Sequence, residues 1–425
     1  MALKHKVDKK LSFAIILGNT VAWADFALYA YFSLVLSKVF FPFTSSANAY
    51  ILYFIVFALG FLFRPIGSAI AGVYADKHGR KNTLMATVII SSVITALIGL
   101  LPSYDSIGFF SPLLLTVLRI LQTMSISAEP TNSGSLLIES APENRKGLVT
   151  SCVMVGIFVG FLLGIYSFYL LSLWLTTEQM SSWGWRLSFL FFASLGIIVV
   201  VVLSFTEESP VFLQKKKENK LNSHPFKTAI VQYPRQMFIA FGYALMMAVT
   251  NYFLLGYVPK FAQHTLGLSQ KQESLAITSC LMITVILIPI MGLLSDKIGR
   301  RWVMGGGALG FCLLGYPMML LINTGEYHFF IMALVIYGIL LAPVSAVLPV
   351  ALAEMFPFEV RCTGGAIGYN IALLLLGGTT PIVVTQLVKV TGTFFSAFWY
   401  ISAVAFIHLM FIIFSKETKN IDLSV

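Results

Sequence analysis

Gly72-x-x-x-Asp76-x-x-Gly79-Arg80-Lys81 is the stretch that decides the architecture, because it returns 220 residues later as Gly292-x-x-x-Asp296-x-x-Gly299-Arg300-Arg301. Each copy directly follows a long apolar run, so each is expected in the loop after a membrane span. A spaced motif that recurs at a fixed offset is the signature of an internal repeat. The sequence therefore predicts two related halves of six spans each, parallel and related by an axis along the membrane normal.

A second motif follows two spans later in each half. Glu139-x-x-Pro142-x-x-Arg145 is matched by Glu354-x-x-Pro357-x-x-x-Arg361, at an offset of 215 residues with one insertion. Glycine permits close backbone approach, and the acids can bridge helix ends to Arg or Lys through charge-assisted bonds. Such bridges can form in one access state and break in another. We expect a gating role for Gly72, Asp76, Gly79, Arg80, Glu139, Arg145, Gly292, Asp296, Gly299, Arg300, Glu354 and Arg361; the alternative is that the basic residues only anchor the topology.

The composition is that of a membrane protein. Of the 425 residues, 58% are hydrophobic and 11% are charged, which is about half the charged share of a soluble domain. A span takes roughly 20 residues, so the apolar content suffices for about twelve. The fold class predicted is an all-α integral membrane protein of twelve transmembrane helices in two six-helix halves. Apolar runs lie at residues 11–40, 50–75, 83–101, 111–138, 148–173, 187–205, 236–258, 273–295, 303–323, 328–351, 364–388 and 393–414.

Basic residues are unevenly divided between alternate loops. With the N-terminus inside, 21 of the 28 Lys and Arg fall in cytoplasmic segments, among them Lys4, Lys6, Lys9 and Lys10. The excess predicts cytoplasmic N- and C-termini. The charged start MALKHKVDKK resembles a signal peptide, but the following apolar run is too long and shows no clear cleavage site. We interpret it as a retained first span.

The longest polar stretch separates the halves. It covers residues 206–235 and contains the basic run Lys215-Lys216-Lys217. We interpret it as a solvated cytoplasmic linker between residues 1–205 and 236–425; the alternative is that the basic run binds lipid headgroups.

Other classes of function find little support. The net charge of +10 comes from basic residues that flank spans, so nucleic acid is not an expected partner. The four cysteines form no C-x-x-C and have no His pair nearby. No Ser/His/Asp set or phosphate loop is present. We therefore expect no enzyme, no metal and no cofactor.

The loop motifs, together with Arg119 in the fourth span, resemble the major facilitator superfamily over the whole chain. Further motifs resemble its metabolite:H+ symporter family, whose members import proline and betaine, 2-oxoglutarate, citrate and shikimate. They are Gly18-Asn19-x-x-x-Trp23-x-Asp25-Phe26-x-x-Tyr29, Gly60-Phe61-x-x-Arg64-Pro65-x-Gly67, Arg119-x-x-Gln122 with Glu129, Trp183-Gly184-Trp185-Arg186 and Glu208-Ser209-Pro210-x-Phe212. The chain departs from the family at Ala22, where Glu is usual, at Ala24, and at Ser127-Ala128, where Gly-Gly is usual.

Four ionisable residues lie well inside predicted spans, namely Asp25, Arg64, Arg119 and Glu129. A charge at a helix centre costs roughly 2.5 to 3.5 kcal/mol, so such residues are expected to line a cavity and to pair. We predict that these four couple transport to protons; the alternative for Asp25 and Arg119 is a static ion pair that serves only helix packing. Arg64 lies midway along the neighbouring span, and we expect it to pair with Asp25. Pro130 is expected to break the fourth helix beside Glu129.

Polar residues on the same helix faces are candidates for the substrate site. The two acids and two arginines balance, which suits a zwitterion. The second half is expected to contribute aromatic walls and hydrogen bonds rather than charge. The candidates are Asn19, Trp23, Tyr29, Gln122, Asn251, Tyr252, Tyr337 and Asn370; for those of the second half, the alternative is a packed helix contact.

The function predicted is secondary active transport: proton-coupled import of a small polar metabolite, such as an amino acid, a betaine-like zwitterion or an organic acid, by alternating access. The expected partners are the substrate, protons and membrane lipids. We expect a functional monomer in a bacterial inner membrane. The alternatives are a proton-driven exporter or exchanger, and a membrane receptor or sensor on the same fold.

Overall fold

Twelve long apolar helices make up the protein in a computed structural model, which describes residues 8–419 and 421. They are named α1 to α12 in chain order. Their bounds are Lys9–Tyr31, Asn48–His78, Arg80–Leu100, Phe110–Ser140, Glu143–Trp174, Thr177–Ser204, Pro234–His264, Gln270–Ile298, Arg300–Asn323, Tyr327–Met355, Phe358–Thr391 and Phe395–Phe414. The prediction of twelve spans is confirmed. Lys4 and Lys6 lie outside the described residues.

Several helices run past the ends of the apolar stretches that predicted them. The first predicted span is instead shorter as a helix: α1 ends at Tyr31, the chain turns at Phe32, and a separate short helix follows at Ser33–Phe40. Two further short helices, Pro210–Lys217 and Pro225–Gln232, lie in the polar stretch between α6 and α7.

One face of α2 shows why the bundle needs a lipid surround. Ile51, Ile55, Leu62, Ile66 and Ile70 are each about half exposed. Their steps of four, seven, four and four place them on one side of the helix. A continuous apolar stripe of this kind is costly in water and favourable in a bilayer.

Small residues bring α1 and α5 into backbone contact. A Cβ on Gly156, Gly160 or Gly164 would lie 2.5 to 2.7 Å from atoms of α1, so no larger side chain fits without displacing that helix. These three glycines form a groove on α5 that α1 occupies. This close packing fixes the helix that carries Asp25.

Both motif loops turn in the same way. Gly79 has φ +108° and Gly299 has φ +107°, a region that other residues rarely adopt. Immediately after each turn, a carboxylate accepts hydrogen bonds from the first amides of the next helix: Glu208 caps α3 and Glu417 caps α9, with N···O distances of 2.9 to 3.1 Å. The end of the bundle that holds these loops is called the motif end below.

Helix α4 is interrupted beside Glu129. Its first segment ends at Ile126 and its second begins at Glu129, with Pro130 in the first turn, as the proline led us to expect. Helices α7 and α11 contain π-helical turns at Phe253–Tyr257 and Leu373–Gly377. A Cβ on Gly377 would lie 2.7 Å from the ring of Tyr252, so the two distorted helices touch. Such irregularities are frequent at functional sites.

Candidate functional site

A buried ion pair joins Asp25 of α1 to Arg119 of α4. The prediction that Asp25 pairs with Arg64 is wrong. Arg119 sits almost one helix turn from Gln122, which accepts a second bond from the guanidinium at 2.8 Å. The side chains of Asp25 and Arg119 are 4% and 5% exposed, so the pair exchanges little with water.

The surroundings of Arg119 hold it in place. Gln122 donates to the Thr95 hydroxyl on α3 at 2.8 Å, and the guanidinium carbon lies 4.3 Å from the centre of the Tyr29 ring. Tyr29 in turn stacks on Tyr53 at 4.1 Å, and each hydroxyl donates to the other residue's carbonyl oxygen. The predicted substrate residues Tyr29 and Gln122 therefore support Arg119 in this state. Cation–π and hydrogen-bond contacts of this kind are strong in a dry site.

Arg64 makes its contact across the two halves. Its Nε donates to Asn370 Oδ1 on α11 at 2.9 Å, and Asn370 donates to the Ser127 carbonyl at the break in α4 at 2.8 Å. Arg64 also lies 5.4 Å from the Trp23 ring and 5.7 Å from that of Phe61. Ser127 is one of the positions at which the chain departs from the family pattern, and its backbone carbonyl accepts this hydrogen bond from the second half.

Several polar atoms in this central region are buried and have no hydrogen-bond partner among the described residues. Four members belong to charged side chains: Asp25 and Arg119 are paired with each other through their other atoms, whereas Arg64 and Glu129 form no ion pair within the described residues. Neutral members come from both halves. The full central set is Asn19 Oδ1, Trp23 Nε1, Asp25 Oδ1, Arg64 Nη2, Arg119 Nε, Glu129 Oε2, Asn251 Oδ1 and Tyr252 OH. Buried polar groups are normally satisfied, so this concentration makes the central region the candidate site for a polar ligand.

Aromatic rings close the centre from both sides. Tyr252 of α7 packs edge-on against Phe26 at 5.1 Å and against Phe61 at 5.0 Å.

Two other predicted substrate residues form hydrogen bonds within their own halves. Asn19 donates to Ile15 O and Ser133 Oγ, and Tyr337 donates to the Thr250 carbonyl at 2.9 Å. Tyr337 therefore packs as a helix contact in this state.

At the motif end, Asp76 of α2 caps the start of α11 in the other half. It accepts bonds from the amides of Cys362 and Thr363 at 3.2 and 2.9 Å and from the Thr363 hydroxyl at 2.7 Å. Gly72 makes this possible, because a Cβ there would lie 2.7 Å from the Thr363 Cα. A carboxylate at a helix N-terminus is favoured by the helix dipole.

Arg80 and Arg361 complete this contact. Arg80 lies 3.5 Å from Asp76 and 3.3 Å from Glu139, and it donates to the Phe358 carbonyl across the halves at 3.0 Å. Arg361 lies 2.7 Å from Glu139, again across the halves. The four side chains form a charge-balanced network that we call the first quartet, defined as Asp76, Arg80, Glu139 and Arg361.

The second motif repeats this arrangement with the halves exchanged. Asp296 of α8 accepts bonds from amides that follow the 3-10 turn at the start of α5, Gly147 at 2.7 Å and Leu148 at 2.9 Å. Arg300 lies 2.8 Å from Asp296 and 3.0 Å from Glu354. The gating assignment of these charged residues therefore remains a proposal with a defined geometry: both motifs tie one half to the other.

Arg145 does not take the place predicted for it. It is exposed and forms no ion pair within the described part of the chain. The short 3-10 turns Glu143–Arg145 and Phe358–Val360 correspond, so the next residues, Lys146 and Arg361, are equivalent at 215 positions without an insertion. Lys146 is buried and interacts electrostatically with Glu354. We therefore define the second quartet as Asp296, Arg300, Glu354 and Lys146.

The opposite end of the bundle is also closed. The Tyr31 hydroxyl of α1 donates to Glu273 Oε1 of α8 at 3.0 Å, and the Lys260 ammonium lies 4.6 Å from the rings of both Tyr50 and Phe54. Glu273 was missed, because its position near the predicted start of the eighth span suggested a helix end in water. It is 1% exposed, so the second half does contribute a buried acid, at the end of a helix rather than at its centre.

Two parallel six-helix halves with polar atoms between them, and a separate contact between the halves at each end, define a transporter of the alternating-access class. Comparison with known proteins agrees. A model of sugar and other transporters matches residues 11–230, and a model of the major facilitator superfamily matches residues 239–423.

The chain belongs to the major facilitator superfamily. It is 32% identical to the proline/betaine transporter of Escherichia coli K12 over 97% of this chain and 85% of that protein. It is 31% identical to the glycine betaine/proline/ectoine/pipecolic acid transporter OusA of Dickeya dadantii, over 97% of this chain and 84% of that protein. These relatives bear out the motif resemblance to metabolite:H+ symporters.

Among solved structures, the proton:xylose symporter XylE bound to 6-bromo-6-deoxy-D-glucose superposes with a TM-score of 0.82, over 98% of this chain and 97% of that one. At 18% identity this likeness concerns the fold alone. The chain is a secondary transporter of small metabolites and a multi-pass protein of a bacterial inner membrane, and it is not an enzyme.

Proposed function

We propose that the protein imports a small zwitterion, an amino acid or a betaine, together with a proton. The observation that carries this proposal is the pair of opposite charges with unpartnered atoms in the centre, Arg64 Nη2 and Glu129 Oε2. A carboxylate fits the guanidinium, and an ammonium fits the carboxylate. A quaternary ammonium also fits the faces of Trp23, Phe61 and Tyr252. The names of the relatives from Escherichia coli and Dickeya dadantii support this class of substrate.

Asp25 is the proposed coupling acid. Arginine stays protonated inside proteins, so Arg119 holds its charge while Asp25 gains or loses a proton. Protonation of Asp25 ends the ion pair, which frees α1 and α4 from one of the contacts that fix their relative position. The proton and the substrate then influence the same helices, since Trp23 lies on α1 and Glu129 on α4.

The motif end is proposed to face the cytoplasm, in keeping with the distribution of Lys and Arg. Both quartets are then the cytoplasmic gate, and they must separate when the substrate leaves. The first half carries the central charges, the second half faces them with Asn251, Tyr252 and Asn370, and each quartet joins residues of both halves, so one chain contains a complete pathway. We therefore propose that the monomer is the functional unit.

Transport in liposomes tests the proposal. Purified protein is given labelled amino acids, betaines, and mono-, di- and tricarboxylates, with and without an inward proton gradient. We expect gradient-stimulated accumulation of zwitterions alone. Stimulation by carboxylates but not by zwitterions would overturn the substrate class, and absence of stimulation for every compound would overturn the symport.

Two variants separate the roles of the central acids. Asp25→Asn should lose gradient-driven accumulation and keep counterflow exchange, because the amide cannot carry the proton. Glu129→Gln should keep coupling and raise KM for zwitterions. If Asp25→Asn accumulates substrate as the unaltered protein does, Asp25 is not the coupling acid and the role passes to Glu129.

A further inference from the structure

Glu273 is a buried carboxyl group that the central mechanism does not use. It lies in the first turn of α8 and is 1% exposed. Tyr31 donates to its Oε1 at 3.0 Å, and Gln263 donates to its Oε2 at 3.3 Å. The Ser274 hydroxyl lies 3.4 Å from Oε2. Tyr31 belongs to the first half and Gln263 to the second, so the carboxyl group stands where the halves meet.

The chemistry of this contact differs from that of the motif end. There, Asp76, Glu139, Asp296 and Glu354 each lie within 3.5 Å of an arginine nitrogen. Glu273 has only neutral donors, and it forms no ion pair among residues 8–419 and 421. An ionised group that loses water without gaining a counter-charge is costly to bury. A protonated carboxyl group avoids that cost.

We propose that Glu273 is a second proton-binding site, which takes a proton from the outside solution while this end is open and so permits the end to close. The proton passes from water to a carboxylate oxygen, and no other bond is made or broken. In the closed state the acid still accepts from Tyr31 through its carbonyl oxygen. The Gln263 amide can turn so that its own carbonyl oxygen accepts the new O–H.

This inference rests on the proposed proton symport, and it adds an order of events to it. Opening separates α1 from α8 and exposes Glu273 to the outside, where it is free to ionise. Closing buries the carboxyl group again. An external proton is thereby required before the outer contact forms, which prevents the bundle from closing outside without its coupling ion.

Other titratable groups near this contact have to be told apart from Glu273. The neighbouring turns of the helices around it carry neutral phenols, a few basic groups and one further acid, Glu326, which is exposed at the start of α10. These groups are Tyr31 of α1, Tyr169 of α5, Lys260 and His264 of α7, Lys271 of α8, and Glu326, Tyr327 and His328 at the start of α10. His264 and His328 are the groups whose ordinary titration range overlaps the conditions of the test, so each is replaced by Gln in a parallel sample.

Distances between spin labels across this end provide the test. The labels are attached to cysteines placed at the exposed positions Ser46 and Thr324, one in each half, after the four native cysteines are replaced. In the parent protein we expect the short-distance population to grow as the pH is lowered from mildly alkaline to mildly acidic. In Glu273→Gln, which mimics the protonated acid, the short distance should dominate throughout, and its pH dependence should be lost.

Three further variants make the result specific. Glu273→Asp keeps a titratable group and should keep a pH-dependent distance. Tyr31→Phe removes the donor across the halves and should lower the closed population while its pH dependence remains. Glu178→Gln removes an exposed carboxylate at the same end and should change nothing. If Glu273→Gln responds to pH as the parent does, or if His264→Gln or His328→Gln alone abolishes the response, Glu273 is a static helix cap and the proposal is overturned.

Uptake by the same proteins separates this inference from the proposed function. If the parent shows no gradient-stimulated uptake, the symport is wrong whatever the distances show. If the parent accumulates substrate but its label distance is independent of pH, the symport stands and the role of Glu273 is refuted.

Discussion

Replacing Asp76 by Asn should open the motif end, and the size of the effect follows from its contacts. Asp76 accepts three hydrogen bonds across the halves. Bonds to a charged acceptor exceed neutral ones by about 1 kcal/mol each, so the closed state loses about 3 kcal/mol. Burying a neutral amide costs less free energy than burying a carboxylate, which offsets part of this loss. Arg80 also keeps its ion pair with Glu139 at 3.3 Å, which continues to stabilise the closed state. A net loss of about 2 kcal/mol corresponds to a roughly 30-fold rise in the ratio of open to closed molecules.

The equivalent change at Asp296 should have a smaller effect. Asp296 accepts two bonds across the halves rather than three. By the same reasoning, Asp296→Asn should cost about 1 kcal/mol and raise the ratio about fivefold. Asp76→Asn is therefore expected to have the larger effect, because Asp76 also accepts a hydrogen bond from the Thr363 hydroxyl. Asp296 accepts no such hydroxyl bond from the other half within the described residues.

Spin labels at the exposed positions Asn82 and Lys297 report the separation of the halves at this end. We expect a larger long-distance population for Asp76→Asn than for Asp296→Asn, and an unchanged one for Asp105→Asn, which removes an exposed carboxylate at the opposite end. Equal populations in Asp76→Asn and the parent would refute the idea that the cap on α11 holds this end closed. A larger long-distance population in Asp296→Asn than in Asp76→Asn would refute the estimate based on the number of hydrogen bonds across the halves.

Three other changes follow from close contacts. Gly160→Val places a side chain 2.6 Å from a backbone oxygen of α1 and should lower stability by about 1 to 3 kcal/mol, seen as a lower Tm in detergent; Gly306→Ala, with open space around it, should not. Gly377→Ala should push the Tyr252 ring aside and raise KM in uptake assays with little change in Tm. Arg361→Lys loses the planar guanidinium that donates to both Glu139 Oε1 and the Phe356 carbonyl and should increase the open population at the motif end; unchanged label distances would contradict this.

The twelve spans and the duplication were predictable because both depend on local patterns. Apolar runs are set by the thickness of the bilayer, and a repeated loop keeps its spacing wherever its helices pack. The positions of Asp76 and Asp296 in the sequence therefore predicted equivalent places in the two halves. The break of α4 at Pro130 was predictable for the same reason, since proline removes a backbone donor.

Partners across helices were harder to predict. Asp25 has two arginines within reach of its helix, and hydropathy says nothing about which one faces it. The packing of α1 against α5 turns Asp25 to Arg119, whereas Arg64 reaches Asn370 in the other half.

Arg145 was chosen for its charge, but the residue equivalent to Arg361 is Lys146. An ungapped comparison at 215 residues pairs Lys146 with Arg361 and would have found it.

A further repeat was present in the sequence and was not used. Glu208-Ser209 and Glu417-Thr418 follow the last span of each half at an offset of 209 residues. In each pair the glutamate caps the third helix of its half, and the hydroxyl donates to the carboxylate of the second motif, Glu139 or Glu354. The ends of both halves thus hold the acids of the quartets in position.

The two ends of the bundle are closed by contacts of different kinds, and this difference gives direction to the cycle. Both quartets have equal numbers of positive and negative side chains, so their closed forms need no proton. The Glu273 contact contains one acid and neutral donors, so its closed form is favoured by a proton. Acidification outside should then close the outer end without closing the motif end further. Once the outer end is shut, the quartets are the remaining contacts that hold the pathway occluded, and their opening to a less acidic cytoplasm lets the proton leave with the substrate.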